Sequence, residues 1–265
     1  MKKLMTCLLA ILMLFALTAQ AETFKVGMEC NYAPFNWTQA KASDFTVPLA
    51  AGGYADGYDV QVALFIAAEL GLELEIVKTE WDGLPLALTS GKIDAIIAGM
   101  SPTAQRKATL DFSDPYYESD LVIVVNKGSQ FASAESLSDF AGAKITGQLN
   151  TFHYSVIEQI PGVQKQTALD TFPAMIVALT SGRIDGYVSE RPGALSAVAS
   201  NPDFAFVSFE EGLGFEASEE DTAVAVGLRK ESPLMGSINT ALAKLDKETR
   251  IRLMDEAMAR QPLSE

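Results

Sequence analysis

Cysteine and histidine are scarce in this chain: two cysteines and one histidine among 265 residues. Cys7 sits in an apolar N-terminal run and Cys30 stands alone after it. No intramolecular disulfide can therefore staple the rest of the chain, even in an oxidising compartment. His153, the one histidine, has no companions for a metal cluster. The sequence also lacks a Ser/His/Asp set and a glycine-rich phosphate loop, and no cofactor is expected. No long charge run or low-complexity linker breaks the chain, and no segment after the N-terminus is apolar enough to span a bilayer. Basic residues are outnumbered, 20 Lys and Arg against 34 Asp and Glu, for a formal net charge of −14. So acidic a surface argues against nucleic acid and anionic membrane as partners, though a cleft can carry its own local sign. Apolar residues are plentiful at 48%, so burial alone can hold a core.

The first 21 residues read as a secretory signal peptide: Lys2 and Lys3, an apolar run Leu4–Leu17, then Ala19-Gln20-Ala21 as a small-x-small cleavage site. The run is shorter than the ~20 residues of a spanning helix, so a cleavable leader is expected rather than a membrane anchor. Cys7 lies too early to be a lipid-modified cysteine at the cleavage point. Removing 21 residues from 265 leaves 244, and losing the two lysines brings the net charge near −16.

Nine residues, ALTSGKIDA (Ala87–Ala95), return as ALTSGRIDG (Ala178–Gly186). Each copy closes an apolar segment of helical period (Trp81–Ser90; Phe172–Ser181). Each has glycine where a helix C-cap takes a left-handed residue (Gly91, Gly182), and each runs into an apolar strand (Ile93–Ala98; Ile184–Val188). The spacing far exceeds that of stacked solenoid repeats. The simplest reading is two α/β lobes on one plan, with a cleft between them able to hold a small molecule.

Elsewhere strands and helices alternate, which predicts largely parallel sheets flanked by helices. Strands are predicted over Phe24–Met28, Leu74–Val77, Leu121–Val125, Lys144–Leu149, Val163–Thr167, Phe204–Phe209 and Ala223–Leu228. Helices are predicted over Asp59–Leu70, Thr151–Ile160 and Arg191–Ser200, with closing helices in Pro233–Ala259. Asn36–Gly57 reads as an irregular loop or short hairpin, and Asp111, Asp114 and Pro115 as a turn. Leu121–Val125 and Ala223–Leu228 are expected to cross between lobes, giving one lobe over 22–120 and 224–265 and the other over 121–223.

The runs GYDVQVALFIAAELG and TEWDGLPLALTSGKIDAIIAGMSPTAQRKATLDFSDPYY carry a family resemblance, together with the YAPF loop, the second SGRID strand and the late VAVGLRK segment. The chain resembles the periplasmic solute-binding proteins of polar amino acid ABC transporters, the family 3 extracellular solute-binding proteins, over essentially its whole length after the leader. The resemblance implies the two-lobed periplasmic-binding-protein fold with two crossover strands. It implies a monomer in the periplasm whose lobes close on a free amino acid and whose closed form docks on a membrane permease.

An amino acid is a zwitterion, and burying it strips water from both charges, so each needs fixed partners. A carboxylate suits a bidentate guanidinium and backbone N–H groups; an ammonium suits an acid and carbonyl oxygens. Arg106, in Ser101-x-Thr103-x-x-Arg106, matches the family's carboxylate-binding arginine, with Thr103 as the cap of its helix. The resemblance gives Gly99 a carbonyl toward the ammonium and Ser101 a hydroxyl and amide on the site, with Met100 between them; Gly99 serves equally as a turn residue. Glu190 aligns with an acid, usually Asp, that binds the ammonium. Thr151-Phe152-His153 occupies the place of a Gly-Ser/Thr-Thr loop at a helix N-terminus, where free N–H groups suit a carboxylate. Asn150 stands where glycine is usual and tolerates left-handed backbone. Phe152 replaces a small hydroxyl residue, so only its amide can serve. Arg106 and Glu190 both follow strand ends, where open α/β sheets bind ligands.

Tyr32 and Trp81 match aromatic positions that sandwich the ligand side chain in lysine- and arginine-binding relatives, and Glu29 matches an acid that pairs with a cationic side chain. Aromatic faces favour cations or flat groups. The plainer reading makes the two aromatics core residues and Glu29 a loop acid. A basic amino acid such as lysine or arginine is the favoured ligand; glutamine, histidine or cystine fit the same frame. Asp94 and Asp185 are read as fixing strand starts and Cys30 as a small buried residue. Two other functions stay open: an enzyme similar to cyclohexadienyl dehydratases, acting on a prephenate-like substrate, and a ligand-sensing module.

Overall fold

The computed structural model describes residues 22–262, and the leader expected over 1–21 lies outside them. Two five-stranded sheets carry the architecture. The first has the order Glu73–Lys78, Thr23–Met28, Ala95–Ile96, Ala223–Arg229, Leu110–Glu118; the second has Gln164–Lys165, Lys144–Thr146, Gly186–Glu190, Leu121–Asn126, Phe204–Val207. The two orders follow one plan. Three strands run parallel, with Val26 beside Ile76 and Ala95 in the first sheet and Ile145 beside Lys165 and Gly186 in the second. Two further strands, antiparallel to each other, complete each sheet. Each sheet is nonetheless mostly parallel, as expected: four of its five strands run one way, and only the fourth in each order runs against its two neighbours. Alternating βα units supply the parallel strands, and the strand arriving from the other lobe runs the opposite way.

The chain leaves the first sheet after Glu118 and enters the second at Leu121; it returns at Ala223. The Ser119 N–H donates to the Thr222 carbonyl at 3.2 Å, and Glu118 pairs with Ala223. The two crossings therefore run side by side.

The repeat explains the shared plan. Its helices, Leu84–Thr89 and Phe172–Thr180, end before Gly91 and Gly182 at φ +78° and +71°, a conformation cheap only for glycine. The chain then turns back, and the N–H groups of Lys92 and Arg183 reach the carbonyls of Ala87 and Ala178 at 2.9 and 3.0 Å. Asp94 accepts from the Lys25 N–H at 3.0 Å and Asp185 from the Lys144 N–H at 2.8 Å. Their own N–H groups donate to the carbonyls of the same two lysines. Each aspartate clamps the start of the third strand in its sheet's order to the second.

Two segments differ from expectation, and a third takes the hairpin alternative in extended form. Asn36–Gly57 holds the strands Asn36–Gln39, Val47–Pro48 and Tyr54–Asp56, which join Asn31–Tyr32 in a four-stranded antiparallel sheet; pairing gives its backbone groups partners that a loop would leave to water. Asp111, Asp114 and Pro115 lie inside the strand Leu110–Glu118 rather than in a turn. That strand is at the sheet edge, and the register shifts where Pro115 faces Ala225, so the missing proline N–H is tolerated. Over Thr151–Ile160 only Phe152–Ser155 is α-helical, followed by a 3-10 turn at Val156–Gln159.

The main apolar cluster runs across the lobes, bringing Tyr32, Phe35 and Tyr58 together with Phe172, Met175, Tyr187 and Ala194. The lobes are closed on one another. Among the described residues no helix is long and apolar enough to cross a membrane.

Candidate functional site

A small cavity lies between the lobes. Tyr32, Trp81, Ala98, Gly99, Ser101 and Arg106 line it from one side, and Gln148, Thr151, Phe152, His153 and Phe172 from the other.

Arg106 is placed by a short helix, Ala104–Lys107, whose N-cap Thr103 accepts from the Arg106 N–H at 3.4 Å. Its guanidinium donates to the Ser101 carbonyl at 2.9 Å and, across the lobe gap, to the Asn150 carbonyl at 3.1 Å. It also lies 5.1 Å from the Trp81 ring centroid, a cation–π distance. Two of its about five N–H donors are thus engaged. Among the described residues no ion pair includes Arg106. Removal from water brings its pKa down to about 10, with the charge of Glu190 opposing the shift. At neutral pH it remains a cation on the cavity wall, paired only with carbonyl oxygens, and such a group suits a carboxylate.

Glu190 closes the strand Gly186–Glu190 and is 6% exposed. The Tyr32 hydroxyl, from the other lobe, donates to its Oε1. His153 Nε2 lies 3.0 Å from its Oε2, while His153 Nδ1 is buried without a partner. Burial, then the Glu190 charge, holds the Tyr32 hydroxyl well above its ordinary pKa, so Tyr32 stays a donor. A cationic group entering the cavity can replace either contact to this carboxylate.

Gly99 turns the chain at φ +64°, and a Cβ there would sit 3.2 Å from the Tyr32 ring. Beneath it Asp59, fully buried, accepts from Asn36 Nδ2 at 2.8 Å, the Tyr116 hydroxyl at 2.7 Å and the Gly99 backbone. Burial raises the Asp59 carboxyl to about 7, and these hydrogen bonds hold the rise in check.

Glu29 stands just behind the lining. It is 3% exposed, and Gln148 Nε2 donates to its two oxygens at 3.3 and 3.2 Å. Burial raises its pKa to about 7; Gln148 and Asn31 oppose the rise, and the charges of Glu80 and Asp82 add to it. Asp82 also accepts from Asn150 Nδ2 at 2.9 Å across the lobes, with Asn150 left-handed at φ +55°. The region beside Trp81 is therefore negative.

Of the residues singled out in sequence, Tyr32, Trp81, Gly99, Ser101, Arg106, Thr151, Phe152 and His153 converge on the cavity. Glu190 reaches it through Tyr32 and His153, and Glu29 through Gln148. Met100 does not converge: it is buried among Leu84, Ile93 and Leu110 and borders a different opening. The Thr151 hydroxyl is spent on its own loop, donating to the Gln148 carbonyl at 2.7 Å. Cys30 is buried, with its thiol pushed up to about 12 by burial. Sequence reasoning missed Ala98, Gln148 and Phe172. For Phe172 the signal was present, because the repeat pairs it with Trp81. Phe172, not Trp81, stacks on Tyr32, with centroids 3.9 Å apart and planes at 13°.

Comparison with known proteins identifies the family. The model of the bacterial extracellular solute-binding proteins, family 3, matches residues 24–257. A probable histidine-binding protein of Campylobacter jejuni is 36% identical over 73% of this chain and 70% of its own length. The L-cystine-binding protein TcyJ of Escherichia coli K12 is 29% identical over 88% of this chain and 81% of its own. Among solved structures, an amino acid ABC transporter substrate-binding protein of Streptococcus pneumoniae bound to L-arginine superposes with a TM-score of 0.78 at 30% identity, covering 89% of this chain and 94% of that one.

Proposed function

We propose that this chain, which belongs to the bacterial extracellular solute-binding proteins, family 3, binds one free amino acid between its lobes and delivers it from the periplasm to the permease of an ABC transporter. The observation that carries the reading is the Arg106 guanidinium, held on the wall of the inter-lobe cavity and paired with carbonyl oxygens. The ligand carboxylate pairs with its free N–H groups, where a planar fork gives direction as well as charge. The ammonium goes to Glu190, displacing His153 or the Tyr32 hydroxyl. Arg106 and Glu190 belong to opposite lobes, so only a ligand carrying both charges at α-amino acid spacing bridges them. Its binding energy then favours the closed form, with the paired crossings near Ser119 and Thr222 as the hinge.

The side chain extends toward the stacked rings of Tyr32 and Phe172, with Glu29 behind the lining residue Gln148 and the charges of Glu80 and Asp82 near it, which favours a basic amino acid. The relatives named as histidine- and cystine-binding, and the solved substrate-binding protein bound to L-arginine, support the amino acid class.

The test is a thermal-shift screen of protein stripped of ligand by unfolding and refolding, against the twenty amino acids, cystine and ornithine. Ligand that binds only the folded state raises the melting temperature, most with lysine, arginine or ornithine. Arg106→Ala melts cooperatively and loses the shift. Retained micromolar affinity in that variant refutes the placement of the carboxylate.

A further inference from the structure

Phe172 lines the inter-lobe cavity and also a second inter-lobe space, a groove open to solvent. Its ring lies 3.9 Å from that of Tyr32, ordinary stacking contact, so nothing fits between the two. Tyr32 backs onto the same groove. Its neighbours Asn31 and Ala33 line that space, as does Gly193, where a Cβ would lie 3.0 Å from the Tyr32 hydroxyl. Phe172 is braced edge-on by Tyr187 on one side and His153 on the other, at 6.5 and 6.2 Å. Trp81 takes no part, because its ring holds the Arg106 guanidinium. The stack joins one ring from each lobe, so it forms only on closure. Beyond it the groove offers apolar surface from Trp37, Pro173 and Ile176.

We propose that Phe172 sets the length limit of the ligand's side chain: in the closed form it shuts one end of the amino acid cavity against Tyr32 and walls it off from the groove. This inference rests on the amino acid reading of the cavity. A side chain that fits the cavity is enclosed, and a longer one meets the stacked rings and holds the lobes apart. Removing the Phe172 ring joins the cavity to the apolar groove, so a long apolar side chain gains a channel while the α-carboxylate and ammonium keep Arg106 and Glu190.

The experiment is titration calorimetry of ligand-stripped wild type, Phe172→Ala and Phe172→Leu, first with the twenty amino acids and then with norleucine and 2-aminodecanoic acid. Cooperative melting establishes that each variant is folded, and Phe172→Val replaces the alanine variant if that one does not fold. Wild type and Phe172→Leu discriminate against 2-aminodecanoic acid. In Phe172→Ala its affinity relative to norleucine rises by about tenfold or more, the scale of apolar side-chain discrimination in a pocket. An unchanged ratio in Phe172→Ala, or the same rise in Phe172→Leu, overturns the proposal. Wild type that binds no free amino acid at all overturns the underlying function with it, and is told apart by that sign.

Discussion

Glu29→Gln separates the charge of a buried acid from its shape. In the closed fold the Glu29 carboxyl is raised from 4.5 to about 7, with burial the main cause. At 1.4 kcal/mol for each tenfold, ionising it there costs about 3 kcal/mol more than in the unfolded chain. The folded value lies above the unfolded one, so the stability is fully present below pH 4.5 and is lost as pH rises through about 7. Asp59, raised from 3.8 to about 7, acts with the same sign, and only the difference between wild type and variant isolates Glu29. Urea unfolding between pH 4.5 and 8 should show wild-type stability falling by about 3 kcal/mol more than that of Glu29→Gln. Ligand reverses the penalty. A cationic side chain docked beside Glu29 pulls its pKa back down, so binding releases a proton near pH 6 to 7 and tightens as pH rises. Calorimetry in buffers of different ionisation heat reads that proton. Parallel stability profiles would refute the burial argument. A tight ligand that releases no proton from wild type would refute the pairing of Glu29 with a cation.

Arg106→Lys keeps the charge and loses the fork, and should weaken binding of the preferred amino acid by about 1–3 kcal/mol without moving the ligand-free melting temperature; wild-type affinity would show that charge alone suffices. Gly193→Ala places a Cβ 2.8 Å from Ser189 Oγ and about 3 Å from the Tyr32 ring edge, which crowds the closed form. Its radius of gyration by small-angle scattering should exceed that of wild type in saturating ligand, and equal values would refute the contact as a closure requirement. Incubation with prephenate should give no turnover, and turnover would refute a purely transport role.

The legible part of this protein is what local chemistry dictates. Gly91 and Gly182 are left-handed because a helix must end there, and Asp94 and Asp185 clamp strands because a short acceptor sits beside free backbone donors. Both could be read from nine repeated letters. Arg106 and Glu190 are singled out by the family resemblance, with chemistry behind it: a zwitterion needs one group of each sign, and each lobe offers one after a strand. What could not be read depends on how the lobes meet. Pro115 looked like a turn because the sequence does not reveal that its strand would be an edge. Met100 sits between two cavity residues in sequence, yet the turn at Gly99 sends it to the other side. Phe172 is the sharpest instance. The repeat makes it the counterpart of Trp81, but equivalence within a lobe does not say which ring Tyr32 will face. That is decided by lobe closure and by Arg106, whose guanidinium occupies the indole. The duplication built two aromatic walls, and the asymmetry of the charges placed between them gave each wall a different partner.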